Sequence, residues 1–316
     1  MRVDSDLFLD VADALGMGNP AIVEKDYYVV ALLKLLCELS FDTHFLVFSG
    51  GTALTKSGIK THRMSEDVDI KIIPKDLTAN TSKTKRKKAR KALHLQLIAA
   101  INSHDYFSVE NTPTVFDEYR YQQIDIRYPQ AHSKAPCLRP FIKLELIETL
   151  LFDNVQSRNI SSLVNEVTQQ TPEVPLMDFS SIESTQAEKL VSMLRRTASF
   201  ARDNRRDDDP ALIRHVYDTY YIQHAGLADA SGVVPLVKKV IAEDITRYGN
   251  QHLEFMAEPI IELKFALDVL QVNSLYKTRF NEYVVPMVYG SHKLVWQEAF
   301  DVFKSFCKIV LNDIEL

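Results

Sequence analysis

The sequence has few cysteines, few glycines and no long hydrophobic run. Its three cysteines, Cys37, Cys137 and Cys307, are far apart and form no CxxC pair, which argues against a structural zinc site and for a reducing compartment. The most apolar stretch, residues 27–36, is too short to span a bilayer and is interrupted by Lys34. The chain begins with acidic residues where a signal peptide would have a basic and then an apolar segment. We therefore expect a soluble, cytoplasmic protein with no membrane partner.

The overall composition is ordinary, but the basic residues are unevenly distributed. The 316 residues are 46% hydrophobic and 25% charged, enough for one large domain or two of average size. A net charge of −5 counts against nucleic acid as a partner. Residues 83–91, however, form a dense basic run at the start of a predicted helix. The run predicts either a solvated helix face or contact with an RNA backbone through Lys85, Arg86, Lys87 and Lys88.

The order of sequence patterns predicts two halves with a connection between them. Residues 1–155 combine helical periodicity over residues 21–39 with several strand patterns, and residues 180–316 show helical patterns and no convincing strand. Residues 156–179 are polar, contain Pro172 and Pro175, and are predicted to be the connection. The predicted fold class is mixed α/β, of the α+β type. It consists of a mixed sheet with helices on one side, followed by a helical C-terminal domain.

A stretch from residue 48 to residue 73, "FSGGTALTKSGIKTHRMSEDVDIKII", carries the residues best suited to chemistry. In an extended strand, Asp67, Asp69 and Lys71 share one face, and the apolar residues between them share the other. Two carboxylates at this spacing repel each other and need a counter-charge, for which Mg²⁺ is the natural candidate. The pair Gly50 and Gly51 permits a tight turn into a short helix whose free N–H groups favour phosphate.

An exposed edge strand with a solvated acidic face would also account for a lone DxD triplet. The glycine pair upstream, with Arg63 and Ser65 on the approach to the aspartates, favours a nucleotide and metal site instead.

Three charged residues, Glu24, Lys25 and Asp26, interrupt the helical pattern of residues 21–39. They predict a solvated helix edge, or a first turn favoured by the helix dipole. Participation in the site is the alternative.

The motifs "GGTAL" and "RMSEDVDI" resemble those of the AbiEii/AbiGii family of nucleotidyltransferase-like toxins, which are related to the MenT-type toxins. The resemblance extends to "EKDY" near the N-terminus, to "AEKL" around Lys189 and to "RHVYD", which ends at Asp218. It implies a nucleotidyltransferase core with N-terminal helices over residues 1–155. Thr52 stands where the superfamily commonly has serine, and the hydroxyl is retained.

The resemblance also implies roles for residues outside the DxD motif. Lys189 would contact nucleotide phosphates and Asp218 would complete the active site. The strand pattern "PFIKLELIE" makes Glu145 the candidate third carboxylate, with Asp125 as a rival. Thr52 and the amides after Gly51 would hold the β- and γ-phosphates of the nucleotide, and Asp67 and Asp69 would bind two Mg²⁺ ions.

The function implied by the resemblance is that of a toxin in a toxin–antitoxin or phage-defence (abortive infection) system. Such an enzyme would be a Mg-dependent nucleotidyltransferase that transfers nucleotides from an NTP to an RNA acceptor, with tRNA the first candidate, and blocks translation or growth. It would have a cognate antitoxin or regulator as partner. Two alternatives remain: a nucleotidyltransferase acting on a small-molecule or protein hydroxyl, and a non-catalytic binding protein on the same fold.

Overall fold

The computed structural model describes residues 5–79, 81–133, 138–203, 208–290 and 293–314, and its chain divides into two compact units. The first unit consists of Met1–Gly58 and Met64–Ser180, and the second of Ile59–Arg63 and Ser181–Leu316. The five residues Ile59–Arg63 therefore belong to the C-terminal unit, although they lie within the glycine-to-aspartate stretch of the sequence.

The first unit contains eight strands and six α-helices among its described residues. The bounds are α1 Ser5–Ala14, α2 Pro20–Glu38, β1 His44–Ser49, α3 Gly50–Lys56, β2 Val68–Pro74, α4 Asp76–Ala79, α5 Lys83–Ser103, β3 Ser108–Val109, β4 Thr114–Phe116, β5 Tyr121–Arg127, β6 Ile142–Glu148, β7 Gln156–Ile160, α6 Leu163–Val167 and β8 Val174–Phe179.

The strands form one mixed sheet in the order β3-β5-β6-β2-β1-β8-β7, with β4 paired to β5. Strand β2 pairs antiparallel with β1 and parallel with β6, and β1 pairs parallel with β8. The mixed α/β fold class predicted from the sequence is confirmed. The register places Asp69 opposite Glu145, and Glu145 opposite Gln123. Residues that are far apart in sequence are therefore neighbours on the sheet.

The two faces of the sheet differ in polarity. One face is fully apolar in its centre, where Ile70, Ile124 and Leu144 pack in a core cluster with residues of α2 and α5. The alternate positions of β2, β5 and β6 are half-buried and form what we call the polar face: Asp69, Tyr121, Gln123, Asp125, Lys143 and Glu145. Because side chains alternate along a strand, the apolar core fixes which side chains the polar face carries.

Residues 156–179, predicted from the sequence to be a connection, form the strands β7 and β8 with α6 between them. They belong to the first unit. Strand β7 lies at the edge of the sheet, where polar residues are tolerated. Pro175 is tolerated in β8 because β8 pairs with β1 only near its end, at Phe48 and Phe179. These two circumstances explain why the strands lack an alternating apolar pattern.

The basic run lies in the first turns of α5, which is capped by the Ser82 side chain accepting a hydrogen bond from the Lys85 amide at 3.4 Å. Lys85 and Lys88 are exposed. Arg86 is half-buried, and Lys87 forms an ion pair with Glu118 at 3.1 Å. The run is thus only partly a solvated face.

Helix α5 packs on the apolar face of the sheet. Leu93 and Leu97 belong to the core cluster, and Arg90 is buried and donates to the Glu148 carboxylate at 2.8 Å. Glu148 is three residues after Glu145 in β6. Because side chains at odd separations in a strand point to opposite faces, the Glu148 side chain lies on the other face from Glu145. The basic helix and the acidic residues of the polar face therefore lie on opposite sides of the sheet.

The second unit is helical over its described residues. Its bounds are α7 Ile182–Arg202, α8 Arg214–His224, α9 Ala230–Tyr248, α10 Leu253–Ala257, α11 Pro259–Val272, α12 Leu275–Tyr283 and α13 Trp296–Asn312. Arg63 adds a single antiparallel bridge to Val288. Among the helices that the structure describes, none has the length and apolar content needed to cross a membrane.

Candidate active site

The glycine turn and the aspartates are in direct contact in the first unit. Gly50 has a φ of +77°, and a Cβ atom on it would lie 1.9 Å from Asp69 Oδ2. The backbone therefore approaches the Asp69 carboxylate so closely that only glycine fits. The Ser49 hydroxyl donates to the Asp69 carbonyl oxygen at 3.1 Å. The end of β1 is thus shaped around the side chain of Asp69.

Thr52 positions the backbone of the other aspartate. Its side chain is buried, and its hydroxyl donates to the Asp67 carbonyl oxygen and lies 3.0 Å from the Ser65 hydroxyl. Asp67 itself immediately precedes β2 rather than lying within it. The contacts of Gly51, Thr52 and Ser65 with a nucleotide stay predictions, but the structure brings these residues next to the aspartates.

The Asp67 carboxylate is already paired with a cation that the sequence did not point to. The Arg139 guanidinium contacts Asp67, and it also lies 3.3 Å from Glu66 Oε1. Burial raises the pKa of Asp67 above its usual range, although the neighbouring Arg139 acts in the opposite direction. Positive charge and donated hydrogen bonds, both of which Arg139 provides, stabilise the ionised form of this buried carboxylate.

Glu145 lies against Asp69, on the neighbouring strand. The two carboxyl groups are hydrogen-bonded to each other, and Lys143 Nζ lies 2.8 Å from Glu145 Oε1. Burial acts to raise the pKa of Glu145, but Lys143, Tyr121 and Asp69 outweigh it and lower the pKa. Two carboxyl groups in contact need a proton or a cation between them.

Asp125, the rival third carboxylate, lies further along the sheet. It is paired in register with Lys143, and it accepts hydrogen bonds from the side chains of Gln123 at 3.1 Å and Asn111 at 3.4 Å. The structure therefore brings Glu145 rather than Asp125 next to Asp69.

The three charged residues of α2 are buried, so the prediction of a solvated helix edge was wrong. Lys25 is fully buried and donates to Glu66 and to the carbonyl oxygens of Arg139 and Phe141, both at 3.0 Å. Glu24 accepts from the amides of residues 131 and 132, and Asp26 accepts from the amide of residue 163. The helix edge ties several loops of the first unit together.

Lys25 and Glu66 support the pair formed by Asp67 and Arg139. Glu66 Oε2 accepts from the Arg139 amide at 2.9 Å as well as from Lys25. Lys25 of the motif "EKDY" therefore has a positioning role: it holds the Arg139 backbone directly, at its carbonyl oxygen, and the Arg139 side chain indirectly, through Glu66. The signal available in the sequence was Glu66, which directly precedes Asp67.

The second unit holds a separate buried ion cluster of Arg63, Lys189 and Asp218. The Asp218 carboxylate is fully buried and accepts from Lys189 Nζ at 2.8 Å and from Arg63 Nη2 at 2.8 and 2.9 Å. Burial would raise the pKa of Asp218, but Arg63 and Lys189 hold it well below its usual range. Two cations and one anion give the cluster a formal charge of +1.

The predicted site residues thus fall into two groups, each formed within one unit. The first unit brings together Gly50, Gly51, Thr52, Ser65, Asp67, Asp69 and Glu145. The second unit brings together Arg63, Lys189 and Asp218. Their catalytic and binding roles stay predictions.

Comparison with known proteins identifies the family. The family model of the nucleotidyl transferase AbiEii toxin, type IV toxin–antitoxin system, matches residues 34–304. No curated protein matches the chain. Among solved structures, the MenT4 nucleotidyltransferase toxin from Mycobacterium tuberculosis H37Rv is similar over 99% of this chain and 91% of its own, with a TM-score of 0.64 and 18% sequence identity. That likeness shows a shared fold. The chain belongs to the AbiEii family of nucleotidyltransferase toxins of type IV toxin–antitoxin systems.

Proposed function

We propose that this toxin transfers a nucleotidyl group from an NTP to a hydroxyl group of an RNA acceptor, with tRNA as the first acceptor to test. The acceptor oxygen forms a bond to the α-phosphorus, the bond to pyrophosphate breaks, and the hydroxyl proton leaves to solvent or a nearby base. The observation that carries the proposal is the contact between Gly50, Asp69 and Glu145, which presents carboxylate oxygens at the end of a glycine turn.

The carboxylates fit a divalent cation that is shared with the substrate. Within the described part of the chain, no three Asp, Glu, His or Cys side chains are grouped so as to hold a metal ion by themselves. Mg²⁺ commonly takes one or two protein carboxylates and completes its ligands with substrate phosphates. We propose Asp67 and Asp69 as those ligands, with Glu145 beside them. Mg²⁺ bound there would supply charge neutralisation at the triphosphate.

The chain's own cations would act on the nucleotide as well. Arg139 and Lys143 are each paired with an acid of this site, and both pairs are only partly buried. A triphosphate that brings its own cation to Asp67 would release Arg139 toward the phosphate oxygens. The buried cluster of the second unit, with its charge of +1, is suited to an anion, and this supports the predicted phosphate contact of Lys189.

The decisive experiment incubates the purified protein with each labelled NTP, Mg²⁺ and total RNA. We expect label in RNA for the wild type and none for Asp67→Ala or Asp69→Ala. The matched control is Asp125→Ala, which removes an acid from the same polar face without touching Asp69, and it should keep activity. Wild-type incorporation by either site variant would remove that residue from the site. Label on a small molecule or on protein alone would refute the RNA acceptor, and no transfer at all would refute the reaction.

Lys189→Ala and Lys189→Glu test the phosphate contact separately. We expect the apparent affinity for NTP to fall while that for RNA is kept. Because Lys189 also neutralises Asp218, each variant must first be shown to unfold cooperatively. An unchanged affinity for NTP would leave Lys189 with a structural role only.

A further inference from the structure

Two aromatic side chains extend the polar face away from the carboxylates. Phe116 of β4 and Tyr121 of β5 are opposite each other in register, with their rings nearly parallel at 26° and their centroids 6.1 Å apart. Phe116 is 62% exposed, so its ring is accessible to a ligand. We call these two residues the aromatic shelf.

The shelf is joined directly to the proposed site. The Tyr121 hydroxyl donates to Glu145, and Glu145 is hydrogen-bonded to Asp69. A continuous series of contacts therefore runs from the exposed ring of Phe116 to the Asp69 carboxylate along one face of the sheet.

The turn beside the shelf is held by the basic helix. Residues 117–119 all have positive φ, from 44° to 70°, a conformation that side chains other than glycine rarely adopt. Arg90 Nε donates to the Glu118 carbonyl oxygen at 2.9 Å, and Lys87 forms its ion pair with the Glu118 side chain. The turn thus links the start of α5, on one side of the sheet, to the strands that carry the shelf on the other.

We infer that the aromatic shelf binds a nucleobase at the single-stranded end of the RNA acceptor. Stacking of bases on exposed aromatic rings, next to cations that follow the backbone, is the general mode of single-strand recognition. Two cations lie at the turn that precedes Tyr121: Lys87 pairs with Glu118, and Arg120, directly after the turn, lies near Asp117 and Glu148. The inference rests on the proposed function. It explains how an RNA strand bound near α5 could reach the carboxylates on the opposite face of the sheet.

The acceptor suits the shelf better than the NTP does. Lys87, which pairs with Glu118 at the turn after Phe116, belongs to the basic run of α5, and this run is longer than a single nucleotide needs and matches a polymer of phosphates. Tyr121 has a second role as a positioning residue, because its hydroxyl orients Glu145 next to Asp69.

The test measures binding of a labelled single-stranded RNA of about 12 nucleotides by fluorescence anisotropy, without NTP. Phe116→Ala should weaken binding by about fivefold or more, as expected for the loss of one stacked base. The matched control, Leu176→Ala, removes a side chain that is 60% exposed on β8 of the same unit and should bind as the wild type does. Tyr121→Phe keeps the ring, so its RNA affinity should be kept while kcat falls at saturating RNA.

Several outcomes overturn the inference. Wild-type RNA affinity for Phe116→Ala would do so, as would an equal loss for Leu176→Ala. A raised KM for NTP with unchanged RNA affinity would assign the shelf to the nucleotide base instead. Because binding is measured without NTP, the shelf is tested even if the wild type transfers no label, a result that would refute only the proposed reaction.

Discussion

Replacing Gly50 with alanine tests whether the turn is shaped around Asp69. Adopting the φ of +77° costs alanine about 1–2 kcal/mol. The added Cβ would also lie 1.9 Å from Asp69 Oδ2 and 2.7 Å from its Cγ, so the carboxylate must turn away. Forcing a side chain off its rotamer costs about 0.5–1.5 kcal/mol more. We therefore expect a loss of stability of about 1.5–3.5 kcal/mol, together with loss of nucleotidyl transfer.

Gly58→Ala is the matched control for this prediction. Gly58 has a φ of +92°, but a Cβ on it would meet nothing within 4 Å. The Gly58→Ala variant should therefore lose only about 1–2 kcal/mol of stability, from its backbone conformation, and keep its transfer activity. Denaturant unfolding gives the stabilities, and labelled-NTP transfer gives the activities. Equal stability losses for both variants, or an active Gly50→Ala protein, would refute the close approach to Asp69.

Three further predictions concern buried charge and the basic helix. Lys25→Met should cost about 3–5 kcal/mol in denaturant unfolding because it removes the fully buried cation that pairs with Glu66 Oε2; the double variant with Glu66→Gln should recover part of that loss, and no recovery would contradict the pairing. Asp218→Asn should destabilise the protein most above about pH 4. The folded state lowers the pKa of Asp218, so the ionised carboxylate contributes stability above the unfolded pKa, and that stability is lost as the pH falls. A pH-independent difference in stability between the variant and the wild type would contradict this. Four lysines of α5 are exposed and can be replaced together with glutamine: Lys83, Lys85, Lys88 and Lys91. The replacement should weaken RNA binding and reduce the slope of log affinity against log salt concentration by up to about 3. An identical slope would mean that these lysines form only a solvated face.

The sequence was informative where a local pattern determines the structure. The alternation around Asp69 predicted which side chains face the core, because a strand has a period of two. The basic run of residues 83–91 was predicted to begin a helix, and it begins α5, Lys83–Ser103. The pair Gly50-Gly51 predicted a tight turn, and the positive φ of Gly50 agrees.

The sequence was not informative where a contact joins distant segments. Nothing near Arg139 in the chain shows that it pairs with Asp67, 72 residues away. The burial of Lys25 could not be read from its helix, because its partners, Glu66 and the carbonyl oxygens of residues 139 and 141, come from other parts of the unit. In the sequence Arg90 is one more basic residue of the run, and its partner Glu148 lies 58 residues away. Charged residues become core residues only through partners that periodicity does not reveal.

The order of the strands has a consequence for synthesis of the toxin on the ribosome. Strand β1, which leads into Gly50, pairs on one side with β2 and on the other with β8, which ends at Phe179. Asp69 meets Glu145 only when β6 has joined β2. A nascent chain shorter than about 150 residues therefore has the aspartates without their carboxylate neighbour, and β1 keeps an unpaired edge until β8 emerges. The cell would thus meet an assembled polar face only after nearly half of the polypeptide has been made.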